Sequence, residues 1–332
     1  MKHTMKITLF LIIIFLLSQI IGLAIVNEYI DIKQTSETGK TVVNAEIYSI
    51  SGIQPPEVAN ESFSWIFIMI SVLIGTVLIL IIIRFKQKKV WKAWFLIAIF
   101  FCLRYAFAPF IKRFIALFPS TPIAYATWIT IIIAFCFALY KVFWPNIYVH
   151  NFTELFIYGG LAAIIVPIIN LTSAFFLLLA ISLYDMFAVW QSKHMVKMAQ
   201  YQTENKMFAG LILNYKKDAD NNQERKVRLK VIKAPIAAKK AMPAPAKKEE
   251  SYEKDNETKT AILGGGDVAF PLLFAGVVMK TTGSYLAPAI IVATTTVALF
   301  LLLYYAEKDK FYPAMPFIST GCFAGYVVTM LL

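Results

Sequence analysis

The chain alternates long apolar runs with short polar breaks. A bilayer core about 30 Å thick is crossed by a helix of about 20 apolar residues. Nine runs meet that length, over 7–26, 63–83, 91–111, 122–143, 152–170, 173–192, 261–280, 285–305 and 311–331. They predict an all-α, polytopic membrane bundle with nine transmembrane helices. The third run is interrupted by Arg104, which must either snorkel or face the bundle interior. Only Asn170–Thr172 separates the fifth run from the sixth, so the two read as a tight helical hairpin. Lys2, His3 and Lys6 before the first run also fit a signal peptide, but the run is longer than the usual signal core. A retained helix is the better reading.

The breaks divide the chain into three parts. Residues 1–192 hold six helices, 193–260 form a long polar loop, and 261–332 hold three helices. The loop carries sixteen Lys and Arg against nine acids. Its stretch 216–260 is rich in Lys, Ala, Pro and Glu, and buries too little apolar area to offset chain entropy, so it reads as disordered. An apolar patch at 207–213 fits either the membrane surface or a groove, and the sequence does not choose between them. Gap 27–62 holds only Lys33 and Lys40 against six acids, with a short hairpin expected around 41–53. Basic residues mark cytoplasmic loops. The N-terminus and the long loop are therefore placed in the cytoplasm and the C-terminus outside, in a multi-pass protein of the cell membrane. Lys112, Arg113 and Lys280 run against that rule.

Composition agrees with a membrane class. Of 332 residues, 59% are hydrophobic and 16% charged, with a net charge of +12. The positive balance belongs to the loops, where it suits anionic lipid. No aromatic interleaving or binding fold accompanies it, so no nucleic acid is expected as a partner. Cys102, Cys136 and Cys322 all lie in apolar runs and read as small packing residues. The three histidines match no metalloprotease spacing, and no phosphate loop or serine-nucleophile elbow occurs. No metal and no cofactor is expected.

Two acids are clearly embedded, Asp185 in the sixth run and Asp267 in the seventh. An Asp near the centre of a membrane helix costs about 2.5–3.5 kcal/mol, so both need a reason. One reason is structural, as polar groups that hold helices together. The other is chemical. Counted from the cytoplasmic ends of their runs, both lie about seven residues in, roughly 10 Å deep at 1.5 Å per residue. Antiparallel neighbours would bring the carboxylates to one level. Two adjacent carboxylates share a proton, so one is a base while the other is an acid. Such a pair can activate water against a peptide carbonyl and protonate the leaving amine. Gly264, Gly265 and Gly266 precede Asp267 and allow close backbone approach, or simply form a small packing face. Pro313 and Pro316 are expected to keep the start of the last run from being regular helix. A relay of protons or cations in an ion-coupled transporter is the competing reading, and a silent membrane scaffold a third.

Tyr184-Asp185, Gly264-Gly265-Gly266-Asp267 and Pro313-Ala314-Met315 resemble the YD, GxGD and PAL motifs of presenilins and signal peptide peptidases. Their order and helix placement are also similar, and the likeness is to archaeal presenilin-like members. The resemblance implies an intramembrane aspartic endopeptidase that cuts transmembrane helices of membrane proteins or signal peptides. It implies that Asp185 and Asp267 are catalytic and that Tyr184 packs beside Asp185. It also implies that Pro313, Ala314 and Met315 shape the site and bind substrate. Met315 stands where the family usually has Leu, a near-isosteric exchange. The expected partners are transmembrane-helix substrates and lipid, and formation of a homo-oligomer is left open.

Overall fold

The computed structural model describes residues 5–56, 58, 61–85, 87–118, 122–144, 146–191, 201–202, 208–216, 258–306 and 312–332. Eleven helices are described: α1 (Met5–Tyr29), α2 (Ile32–Thr38), α3 (Ala45–Ser51), α4 (Ser64–Arg84), α5 (Lys88–Ile115), α6 (Ala124–Phe143), α7 (Ile147–Ile165), α8 (Leu171–Met186), α9 (Gly265–Thr282), α10 (Leu286–Tyr305) and α11 (Met315–Leu331). A two-stranded sheet joins β1 (Gly210–Lys216) to β2 (Thr258–Gly264). Thus the all-helical expectation needs one small amendment. Seven stretches among the described residues are long and apolar enough to cross a membrane: those of α1, α4, α5, α6, α7, α8 and α10. Helix α11, with 17 residues, is apolar but shorter, and α9 carries Asp267 and Lys280 within its 18 residues.

The chain forms two compact units. One comprises Met1–Ile212 and Ile262–Leu332, and the other Leu213–Ala261. In the second, the described residues are the paired outer ends of β1 and β2. The disorder expected over 216–260 lies outside the described residues, except for Lys216 and Thr258–Thr260, which are strand. The patch 207–213 contributes Gly210–Leu213 to β1.

In the first unit, α9 is the central helix. It packs against α1, α7, α8, α10 and α11, and Val268 and Leu272–Phe274 are buried. A helix apolar on all sides belongs inside a bundle. Helix α4 lies at the edge, with Phe67, Ile70, Ile74 and Val77 outward, as lipid contact requires. Helix α1 is an integral member of the bundle. Its Gln19 Nε2 donates to the Val268 carbonyl at 2.9 Å, and the Tyr29 hydroxyl donates to the Tyr105 carbonyl at 2.7 Å.

Several contacts depend on small residues. A Cβ at Gly160 of α7 would lie 1.8 Å from the Cys102 carbonyl oxygen of α5. Gly321 and Gly325 let α11 press on Thr295 and Ile291 of α10, where added Cβ atoms would sit 3.0 and 2.8 Å from their Cα atoms. This is the small-xxx-small solution to close helix packing in lipid.

Segment 41–53 is not a hairpin. One bridge pairs Ile30 with Val43, and then α3 begins after Asn44. Ile47, Tyr48 and Ile50 fall on one helical face and are fully buried, which favours helix over alternation. The fifth and sixth runs do form a tight turn. Asn170 caps α8, its Oδ1 accepting from the Ser173 amide at 2.9 Å. Arg104 faces inward, its guanidinium lying over Gly52 and donating to the Ile50 carbonyl at 3.4 Å.

Candidate active site

Asp185 occupies the last α-helical turn of α8. Just beyond it, Phe187–Gln191 wind as a π-helical turn, a rare form often found at functional sites. Asp185 is 5% exposed. Its Oδ2 accepts the Met315 backbone N–H at 3.1 Å, and the Ala314 amide is also directed at the carboxylate. The first amides of a helix lack intrahelical acceptors. Asp185 therefore caps α11 from another helix.

Asp267 is the third residue of α9, with Gly264 as the N-cap. Its half-buried carboxylate reaches back to the Gly264 amide, like the acidic half of a capping box. The two aspartates are near enough to interact electrostatically. Both are thus presented at helix N-termini, one at its own helix and one at a neighbour's. Pro271 has no N–H for the Asp267 carbonyl four residues earlier, so that carbonyl lacks its usual helical donor.

The equal-depth argument needs correction. Residues 261–264 are strand, not helix, and Asp267 lies in the first turn of α9 rather than two turns in. Glycines are poor helix formers, and strand pairing satisfies the backbone ahead of them. Nor do both prolines exclude helix. Pro313 precedes α11, but Pro316 lies in its first turn, where proline is tolerated because no intrahelical N–H bond is lost.

The three glycines differ in surroundings. A Cβ at Gly264 would meet Asp267 Oδ2 at 3.0 Å. The Gly265 amide donates to the Ala209 carbonyl at 3.2 Å, and a Cβ there would lie 3.3 Å from Tyr158. Gly266 is exposed. Pro313 and Met315 are buried, while Ala314 and Tyr184 are half-buried. The Tyr184 hydroxyl lies 3.0 Å from Thr76 Oγ1 of α4. Ser319 of α11 and Ser182 of α8 bring their hydroxyls within 2.8 Å, tying the segment after Met315 to the Asp185 helix. The structure therefore joins Asp185 to the Ala314–Met315 backbone and Asp267 to Gly264, with the two aspartates within electrostatic reach of each other.

Glu154 of α7 is 2% exposed. It faces Lys141 of α6 and stands one turn before Tyr158. His150 and Asn151 reach β1 beside Gly265. Their signal in sequence is faint: a polar pair opening an apolar run, with one Lys and one Glu inside adjacent runs.

The family model described as "Signal-peptide peptidase, presenilin aspartyl protease" matches residues 39–332. No curated protein matches the chain. Two solved structures are similar in fold. One, described as a presenilin family intramembrane aspartate protease in space group C222, is 18% identical with a TM-score of 0.59, over 98% of this chain and 99% of that one. The same description in space group P2 gives 18% identity and a TM-score of 0.57, over 97% of each chain. With the family model spanning the region that holds both aspartates and all three motifs, the chain belongs to the signal-peptide peptidase and presenilin family of intramembrane aspartyl proteases.

Proposed function

We propose that Asp185 and Asp267 are the catalytic pair of this protease. The observation that carries the reading is that each carboxylate is held at a helix N-terminus, Asp267 by the Gly264 amide of α9 and Asp185 by the Met315 amide of α11, within electrostatic reach of each other. One carboxylate takes a proton from water as the water oxygen attacks the peptide carbonyl. The other, protonated, hydrogen-bonds the carbonyl oxygen. Collapse of the tetrahedral species breaks the C–N bond, and a proton passes to the leaving amine. Because one group must be protonated and the other not, activity against pH is expected to be bell-shaped, its two apparent constants belonging to the pair. A flat profile across the carboxylate range would contradict this mechanism.

The substrate is a transmembrane helix whose backbone is locally unwound. An extended segment can gain hydrogen bonds by strand addition, and β2 runs directly into Gly265 and Asp267. Tyr184 braces the Asp185 turn against Thr76, and Pro313, Ala314 and Met315 shape the floor of the site.

Nine transmembrane helices, in parts 1–192, 193–260 and 261–332, are the reading the apolar runs support, with N-terminus and long loop cytoplasmic and C-terminus outside. The three charges that oppose this orientation are all engaged in ion pairs. Lys112 pairs with Glu46 at 2.6 Å, Arg113 with Glu28, and Lys280 with Glu61 at 3.5 Å. Each is neutralised by an acid of segment 27–62.

Purified protein incubated with a membrane-helix peptide should yield fragments visible by mass spectrometry. An aspartyl-protease transition-state mimic should suppress them. Asp185→Asn and Asp267→Asn should each abolish cleavage, and full cleavage by either variant would overturn the assignment.

A further inference from the structure

A cluster of buried charge lies outside the chemistry proposed above. Lys141, near the end of α6, meets Glu154 of α7 with Nζ 2.5 Å from Oε1, and the two side chains are 1% and 2% exposed. The ammonium also donates to Thr153 Oγ1 at 3.1 Å and to the His150 carbonyl at 3.5 Å. A buried ion pair is weak evidence for stability, since desolvation opposes its attraction. Its location suggests a different use. It braces the first turns of α7, which carry His150 and Asn151.

Both of those side chains hold β1. His150 Nε2 lies 2.7 Å from the Gly210 carbonyl oxygen. A carbonyl only accepts, so Nε2 carries the proton. Asn151 makes two bonds to one residue: its Nδ2 donates to the Ile212 carbonyl at 2.7 Å, and its Oδ1 accepts from the Ile212 amide at 3.0 Å. This is the pairing a neighbouring strand would give, supplied by an amide side chain. The held segment passes directly to the site. The Ala209 carbonyl accepts the Gly265 amide. Gly210, at φ +152°, lets the backbone close on Leu263, whose carbonyl oxygen would lie 2.4 Å from any Cβ there. Tyr158, one turn beyond Glu154, packs on Gly265, and its buried hydroxyl lies in the field of both Glu154 and Asp267. Asp267 follows two residues later.

We infer that His150 and Asn151, braced by the buried Lys141–Glu154 pair, are positioning residues that pin β1 and through it fix the placement of Asp267. The inference rests on the catalytic assignment of Asp267. A displacement of about 1 Å at a reacting group can lower turnover about 10²-fold without touching substrate affinity. That is the expected pattern.

The test is steady-state cleavage of a membrane-helix reporter by the purified full chain, with melting temperatures recorded in parallel. His150→Phe and Asn151→Leu should each lower kcat by about 10²-fold with KM within about twofold. His150→Gln, whose side-chain amide N–H can reach the Gly210 carbonyl, should recover kcat to within about tenfold of the parent. Equal loss in His150→Phe and His150→Gln would overturn the hydrogen-bonding role. Unchanged kcat in His150→Phe and Asn151→Leu, beside an inactive Asp267→Asn, would overturn the inference alone. An active Asp267→Asn would instead remove the catalytic assignment on which it rests.

Discussion

Asp267 is positioned in part by what Gly264 lacks, since a Cβ there would come within 3.0 Å of its Oδ2. The side chain turns back on the N-cap amide, and Gly264 leaves the space for it. Asp185 depends in the same way on the Met315 amide, a backbone group that no side-chain exchange at 315 removes unless it introduces proline. Met315→Leu should therefore keep the parent cleavage rate within about threefold, since the swap preserves volume and polarity; comparison of fragment masses would reveal any change of cleavage position. The Lys141–Glu154 pair gives a sharper stability test. Glu154→Leu alone strands a buried ammonium and should lower stability by about 3–5 kcal/mol, whereas Lys141→Met with Glu154→Leu should be near neutral. Denaturation of the purified variants would check both. At this scale the sequence was partly legible. Asp185 and Asp267 stood out because carboxylates are rare in apolar runs. Lys141, Glu154, His150 and Asn151 did not, because nothing in their spacing says that α6, α7 and β1 converge.

Among the helices, α9 and α11 matter through their beginnings. Strand β2 ends at Gly264, α9 starts at once, and its third residue is Asp267. The apolar run reads as helix from residue 261, and the strand over 261–264 was not legible in it, since a strand needs a partner and β1 lies more than forty residues away. Helix α11 is held to α10 by Gly321 and Gly325 and to α8 by the Ser182–Ser319 contact. Gly325→Leu should force α10 and α11 apart, lowering stability by about 1–3 kcal/mol. Because the same movement shifts the Met315 amide from Asp185, cleavage should fall along with the melting temperature. A variant that melts earlier yet cleaves at the parent rate would separate the helix contact from the site.

For the molecule as a whole, the proposed orientation rests on how Lys and Arg are distributed among the loops. Segment 27–62 uses Glu28, Glu46 and Glu61 to neutralise Arg113, Lys112 and Lys280, while the sixteen basic residues of 193–260 exceed its nine acids. With a membrane-impermeant maleimide on intact cells, a cysteine introduced at the exposed Glu37 should label. One at Ser251 should label only after permeabilisation. Labelling in the opposite order would reverse the proposed topology.

Length and polarity of the runs determined the helical bundle, the placement of its breaks and the rarity of its buried acids, because in lipid a backbone must close its own hydrogen bonds and a charge must find a use. The YD, GxGD and PAL-like motifs carried the family. Only the tertiary structure decided that segment 45–51 is helix, that 261–264 is strand, and that the Met315 amide serves Asp185. It also decided that α7 reaches β1 through His150 and Asn151. These are contacts between residues far apart in the chain. Local pattern sets the period of each element, but which amide meets which carboxylate is settled by the packing that brings them together.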